Sequence, residues 1–121
     1  MTSQTNKMIS DFTAKPQTQA HFEAIDAFVQ DLGPVTRTSQ AQVSYAVNRK
    51  FLWLWAYEKT ADGTLYLNVT LDRPEQESQW HKITQVSANR WNHHVEVKSA
   101  QTANIAWLRQ LITAGFKFAG Q

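Results

Sequence analysis

The stretch Phe51-Leu52-Trp53-Leu54-Trp55-Ala56-Tyr57 decides the fold. Successive side chains on a strand point to opposite faces, so Phe51, Trp53, Trp55 and Tyr57 form one file and Leu52, Leu54 and Ala56 the other. Both files are apolar, the pattern of a central strand covered on both sides. On its N-terminal side, Ala41–Asn48 alternates Ala41, Val43, Tyr45 and Val47 with Gln42, Ser44, Ala46 and Asn48, a strand with one buried face, and Arg49-Lys50 is the turn between the two. On its C-terminal side, Ala61-Asp62-Gly63 is a hairpin signal, because Asp-Gly accepts the positive φ angles of tight strand-joining turns. Thr64–Asp72 then runs back with Leu65, Leu67, Val69 and Leu71 on one face and Thr64, Tyr66, Asn68 and Thr70 on the other.

Further out, Arg73–Gln79 reads as a mobile loop, Trp80–Ser87 as a strand with weak alternation, and Ala88-Asn89-Arg90 as a turn. Trp91, His93, Val95 and Val97 share one face of the next strand; Asn92, His94, Glu96 and Lys98 share the other. Helices flank this run. In Pro16–Leu32, Phe22, Ile25, Val29 and Leu32 fall on one stripe with Phe28 beside it, and Gly33-Pro34 stops the helix. Ser99 or Thr102 caps a final helix carrying Ile105, Leu108, Leu111 and Ile112, expected to end near Gly115. Val35–Gln40 reads as a connection, and a turn at Ser10–Ala14 tucks Phe12 inward. The predicted order is α-β-β-β-β-β-α. This is an α+β two-layer sandwich with an antiparallel sheet of about five strands, a flexible tail over residues 1–9 and a single domain over 10–121.

The composition fits one such core. The 121 residues are 42% hydrophobic and 18% charged, with five Trp, six Phe and three Tyr, so the interior is built around rings. No cysteine is present, which excludes disulfides, thiolate nucleophiles and cysteine-ligated zinc. Met1–Ile9 lacks the apolar run of a signal peptide, and the expected location is cytoplasmic with no membrane contact. A net charge of +2 is too small to imply nucleic acid by itself. The charge is uneven: two Lys face three Asp and one Glu from Met1 to Asp31, while ten Lys/Arg face six Asp/Glu from Leu32 to Gln121.

Phe51-Leu52-Trp53-Leu54-Trp55 after Arg49, and above all Arg90-Trp91-Asn92-His93-His94-Val95-Glu96-Val97 ahead of a capped helix, resemble the bacterial domain of unknown function 5655 family. The likeness runs from about Asp11 into the last helix, with the Trp-x-His-His strand as its most specific element. It implies a compact α+β domain and a remoter similarity to small double-wing DNA-binding-like domains, a likeness of fold that confers no function. It supplies no catalytic residue to carry over.

His93 and His94 cannot share a ligand, because neighbours on a strand point apart. His93 sits among apolar residues, where a satisfied structural histidine is the ordinary reading. His94 shares a face with Glu96, the minimum kit for acid–base chemistry or, with His81, for a metal without recognised spacing; a solvated polar face is the ordinary alternative. Arg37, Arg49, Lys50, Lys82, Arg90 and Lys98 would bind nucleic acid only by converging on one side. Two helices cover one sheet face, which leaves one apolar file of the central strand to be closed by a loop, a second copy or a ligand. The expected function is therefore a small binding or interaction module using Trp53, Trp55 and Tyr57, with Arg49, Arg90, Trp91, His94 and Glu96 as polar or rim candidates, and a homodimer through that face. A nucleic-acid-binding domain and a small enzyme using a His/Glu pair are the alternatives. No catalytic residue, metal or cofactor is assigned.

Overall fold

The computed structural model describes residues 7–75 and 81–121, the side chain of His81 excepted. Among these, β1 (Met8–Ile9), α1 (Pro16–Leu32), β2 (Thr36–Ser39), β3 (Val43–Ala46), β4 (Lys50–Tyr57), β5 (Leu65–Leu71), β6 (His81–Ser87), β7 (Arg90–Val97), α2 (Ala100–Ala103) and α3 (Ala106–Ala119) follow in order. The sheet is antiparallel throughout, with β2-β3-β4-β5-β7-β6 side by side and β1 pairing with the end of β4. The expected α+β sandwich with a helix toward each end is present, with seven strands rather than five.

The two additional strands have short or polar sequences. Thr36–Ser39, read as a connection, forms the edge strand β2, whose residues are mostly exposed and so carry no apolar alternation. Met8–Ile9, read as tail, pairs with Tyr57 and Ala56, past the last β3 partner of β4. The loop expected over Arg73–Gln79 falls partly, at 76–79, outside the described residues.

All three helices contribute to one core on one side of the sheet. Ile25 and Val29 of α1, Ala103 of α2, and Leu108, Leu111, Ile112 and Phe118 of α3 join Leu52, Leu54, Ala56, Leu65, Leu67, Val69, Leu71, Val95 and Val97. Phe51 belongs to this side too, contrary to the strict alternation expected of β4. Tyr45 pairs with Leu52 but Ala46 pairs with Lys50, so Phe51 is the extra residue of a β-bulge. The bulge swings its ring onto Phe116 of α3, edge-on at 6.1 Å.

The last helix also departs from expectation. Ser99 caps α2, its Oγ accepting from the Thr102 amide, and the chain breaks at Asn104 before α3 begins. Gly115 does not end α3; it lies inside it, where the helix comes closest to the sheet. A Cβ there would stand 2.7 Å from Val69 Cγ1 and 3.1 Å from Phe51 Cδ2. Alanine would gain about 1 kcal/mol of helix propensity but collide with two core side chains, an overpacking cost of about 1–3 kcal/mol. Gly115→Ala is expected to lower stability in urea titrations. Pairing it with Val69→Ala should recover part of the loss, and two strictly additive losses would refute the clash.

α1 runs over Pro16–Leu32 as its apolar stripe predicts, but its cap comes from elsewhere in the chain. Asp62 Oδ1 accepts from the Gln17 and Thr18 amides at 2.9 and 3.1 Å. Thr18 Oγ1 donates to the Thr64 carbonyl and accepts from the Gly63 amide, and the buried Lys15 ammonium donates to the carbonyls of Tyr57, Glu58 and Thr60. The loop joining β4 and β5 is thus stitched to the helix start, with Gly63 at φ 102 completing the turn. Asp62→Ala removes a cap worth about 1–2 kcal/mol. Thermal unfolding should register that loss, while Asp62→Asn, which keeps an acceptor oxygen, should lose less.

Candidate functional site

The side of the sheet away from the helices is set by strand register. Trp53 of β4 lies opposite Ser44 of β3 and Asn68 of β5, Asn68 opposite His94 of β7, and His94 opposite Lys82 of β6. The neighbouring row is Trp55, Tyr66 and Glu96, and the next beyond Asn68 is Thr70, Asn92 and Thr84. The face therefore alternates rings with amides, hydroxyls, an imidazole and charged groups. Val86 is the one exposed large hydrophobic residue among the described residues.

The rings on this face pack on one another. Trp55 stacks against Tyr66 at 6.0 Å and meets the His94 ring edge-on at 5.9 Å, reaching across β5 to do so. Tyr66 also touches Tyr57 edge-on at 5.4 Å. These contacts leave Trp55 only 6% exposed without a covering helix, while Trp53 and Tyr57 stay half-buried. Beside them, Asn68 Nδ2 reaches Thr70 Oγ1 at 3.5 Å, and Thr70 Oγ1 donates to Asn92 Oδ1 at 2.8 Å. Two buried polar atoms on the face have no hydrogen-bond partner, the Trp55 indole Nε1 and Asn68 Oδ1. Unpaired buried polar atoms are costly and call for an explanation. At the end of the face, a shallow concavity of about 380 Å³ is lined by Tyr57, Lys59, Thr60, Tyr66, Glu96 and Lys98.

Of the residues predicted from sequence, Trp53, Trp55, Tyr57, His94 and Glu96 come together here. Arg49, Arg90 and Trp91 do not. Arg49 turns to the helix side, its guanidinium 4.8 Å from the Phe118 ring centroid; Arg90 lies at the β6–β7 turn; Trp91 shares the helix-side file of β7 with His93. Tyr66 and Asn68 were missed, since the period of β5 marks them only as polar-face residues. Their signal is register: once Trp55 is paired across the hairpin, Tyr66 is its partner and Asn68 is next.

The two adjacent histidines have separate fates. His93 is fully buried, its Nε2 accepting from the Glu75 amide at 3.0 Å. That contact requires the proton on Nδ1, which donates to the Val69 carbonyl at 3.1 Å. His94 is held below the ordinary imidazole range, first by burial and then by the Lys82 charge. Glu96 pairs with Lys98 at 3.4 Å, and no hydrogen bond links it to His94. An acid–base dyad is not assembled. Among the described residues no group of three or more His, Cys, Asp or Glu could hold a metal. The basic residues do not form one patch either: Arg37 is bound to Asp26, Lys82 and Lys98 are on the sheet face, and Arg49 is on the helix side.

A lowered His94 value has a stability consequence of definite sign. Above pH 6.5 the folded and unfolded chains both hold the ring neutral; below it the unfolded chain binds the proton first, so stability falls as the medium is acidified. NMR titration of His94 should give a midpoint below 6.5, and Lys82→Gln should move it upward. A midpoint unmoved by that substitution would remove Lys82 as a cause.

The family model for the domain of unknown function DUF5655 matches residues 9–119. The chain belongs to that family. The match takes in β2 to β7 in full, so the aromatic face lies within the matched domain. Neither the curated proteins nor the solved structures include a match. No described helix is long and apolar enough to cross a membrane.

Proposed function

We propose that this DUF5655 domain is a binding module whose working surface is the sheet face opposite the helices. One observation carries the reading. Trp53, Trp55, Tyr57 and Tyr66 line a face with no helical layer over it, and within that face the Trp55 Nε1 donor and the Asn68 Oδ1 acceptor lack partners. Rings interleaved with amides, hydroxyls and an imidazole suit a partner that stacks and hydrogen-bonds at once. A second copy of the chain meeting this face is the form such a partner would take in a homodimer.

The test combines two measurements on the full chain. Sedimentation equilibrium at high concentration detects self-association, and NMR with a library of planar aromatic and sugar fragments reads the Trp53 and Trp55 indole N–H signals and the Asn68 amide. Either self-association or fragment-induced shifts on these groups is expected, and Trp53→Ala should abolish it. A pure monomer whose face responds to no fragment would defeat the reading.

A further inference from the structure

We propose, on the reading that the open sheet face is the binding surface, that its ligand is an uncharged flat ring whose edge carries an N–H beside a C=O, as in a lactam or cyclic imide. The two unpaired atoms of the face call for that edge. Asn68 and Trp55 are each only 6% exposed, and Asn68 Oδ1 is an acceptor without a donor while Trp55 Nε1 is a donor without an acceptor. Neighbouring groups settle which end of the amide is free. Thr70 Oγ1 gives its proton to Asn92 Oδ1 at 2.8 Å, so toward Asn68 it can only accept, and Asn68 Nδ2 is the atom that faces it. The oxygen is left over. Asn68 and Trp55 stand on paired strands one row apart, diagonal positions that aromatic and long side chains can bridge. A ring that donates to Oδ1 and accepts from Nε1 satisfies both atoms at once.

The surroundings select the rest of the ligand. Ser44, Trp53, Asn68, Thr70 and Asn92 make the middle of the face and carry no charge, while Lys82 and Glu96 stand beyond His94 and Tyr66 in their rows. A charged ligand seated over Asn68 would lose water without gaining a counter-ion, a cost that a neutral one avoids. Trp53 supplies the stacking surface. It lies directly across the hairpin from Asn68, is half-buried, and has no aromatic partner among the described residues, whereas Trp55 is wedged against Tyr66 and His94. Oδ1 and Nε1 lie beneath side chains, so a ligand reaches them only as a ring swings aside, and Trp53 is the ring that no other ring holds. A flat ring is no thicker than the indole it displaces; a sugar chair is thicker.

The full chain, titrated to millimolar ligand and followed by amide and indole NMR, supplies the test with uracil, phthalimide, their fully N-methylated forms and methyl glucoside. Uracil and phthalimide are expected to shift the Trp55 indole N–H and the Asn68 side-chain amide. The methylated rings, equally flat but without the N–H, should bind more weakly by about tenfold or more, the usual penalty for leaving a buried acceptor unpaired. Asn68→Leu should erase that preference, and Trp53→Ala should weaken methylated and unmethylated rings alike. If Asn68→Leu does not fold, the ligand series on the parent chain decides alone. Equal binding of the methylated rings, or a preference that survives Asn68→Leu, overturns the proposal. So does a face that answers to methyl glucoside or self-associates while ignoring the flat rings, although it then remains a binding surface; a monomer that answers to nothing removes both readings.

Discussion

His93→Leu should lower the unfolding free energy by about 2–4 kcal/mol, roughly the cost of two buried backbone groups losing their partner. Leucine fills much of the imidazole volume and offers nothing to the Val69 carbonyl or the Glu75 amide, which the ring bridges. The Val69 end is in the middle of the sheet and the Glu75 end in the segment leaving β5, so the histidine pins that segment to β7. His94→Leu next door should move stability far less, because that ring is on the open face. Urea denaturation of the two variants compares them directly. Equal losses would mean that His93 is not the pin described.

Trp55→Ala should cost about 3–5 kcal/mol, in the range for buried aromatic truncations. Its ring is closed in by Tyr66 and His94, and removing it opens a hole that a flat sheet face cannot refill. Trp55→Phe should behave differently. It keeps most of the ring contact and deletes the unpaired indole N–H, so its stability should stay within about 1.5 kcal/mol of the parent. If the indole N–H serves a ligand, Trp55→Phe loses binding while remaining folded. Calorimetric unfolding of both variants separates the packing role of Trp55 from its polar one. A destabilisation of Trp55→Phe as large as that of Trp55→Ala would show that the N–H is satisfied after all.

Much of this architecture was legible because strong periodicity survives in single sequences. The α1 stripe of Phe22, Ile25, Val29 and Leu32, and the alternation of Leu65, Leu67, Val69 and Leu71, each report one buried face. What failed to show was whatever depends on partners far away in sequence. The bulge at Phe51 breaks the period of β4 without leaving a Gly or Pro to mark it. Thr36–Ser39 is held by backbone pairing and by the Arg37–Asp26 ion pair, and neither leaves an apolar alternation in the sequence. Gly115 looks like a helix stop, yet it is small because Val69 and Phe51 press on it. At the candidate site, the rings of Trp53, Trp55 and Tyr57 could be grouped from spacing, whereas Tyr66, Asn68 and the exclusion of Arg49 and Trp91 required the register between strands.

The stitched junction between α1 and the β4–β5 loop sets how the domain can come together. Lys15, Thr18 and Asp62 tie segments more than 40 residues apart. A helix whose first turn borrows its cap from a distant hairpin is poorly started on its own. Residues 16–32 as an isolated peptide should therefore show little helicity, gaining order only once β4 and β5 have met. The same tie makes the exposed loop around Lys59–Asp62 a poor place to cut or extend the chain, although it lies at the surface. A new terminus there would release the helix start along with the hairpin, so permuted chains opened at Ala61 should fold less well than chains opened at the Ala88-Asn89 turn, whose described contacts are local.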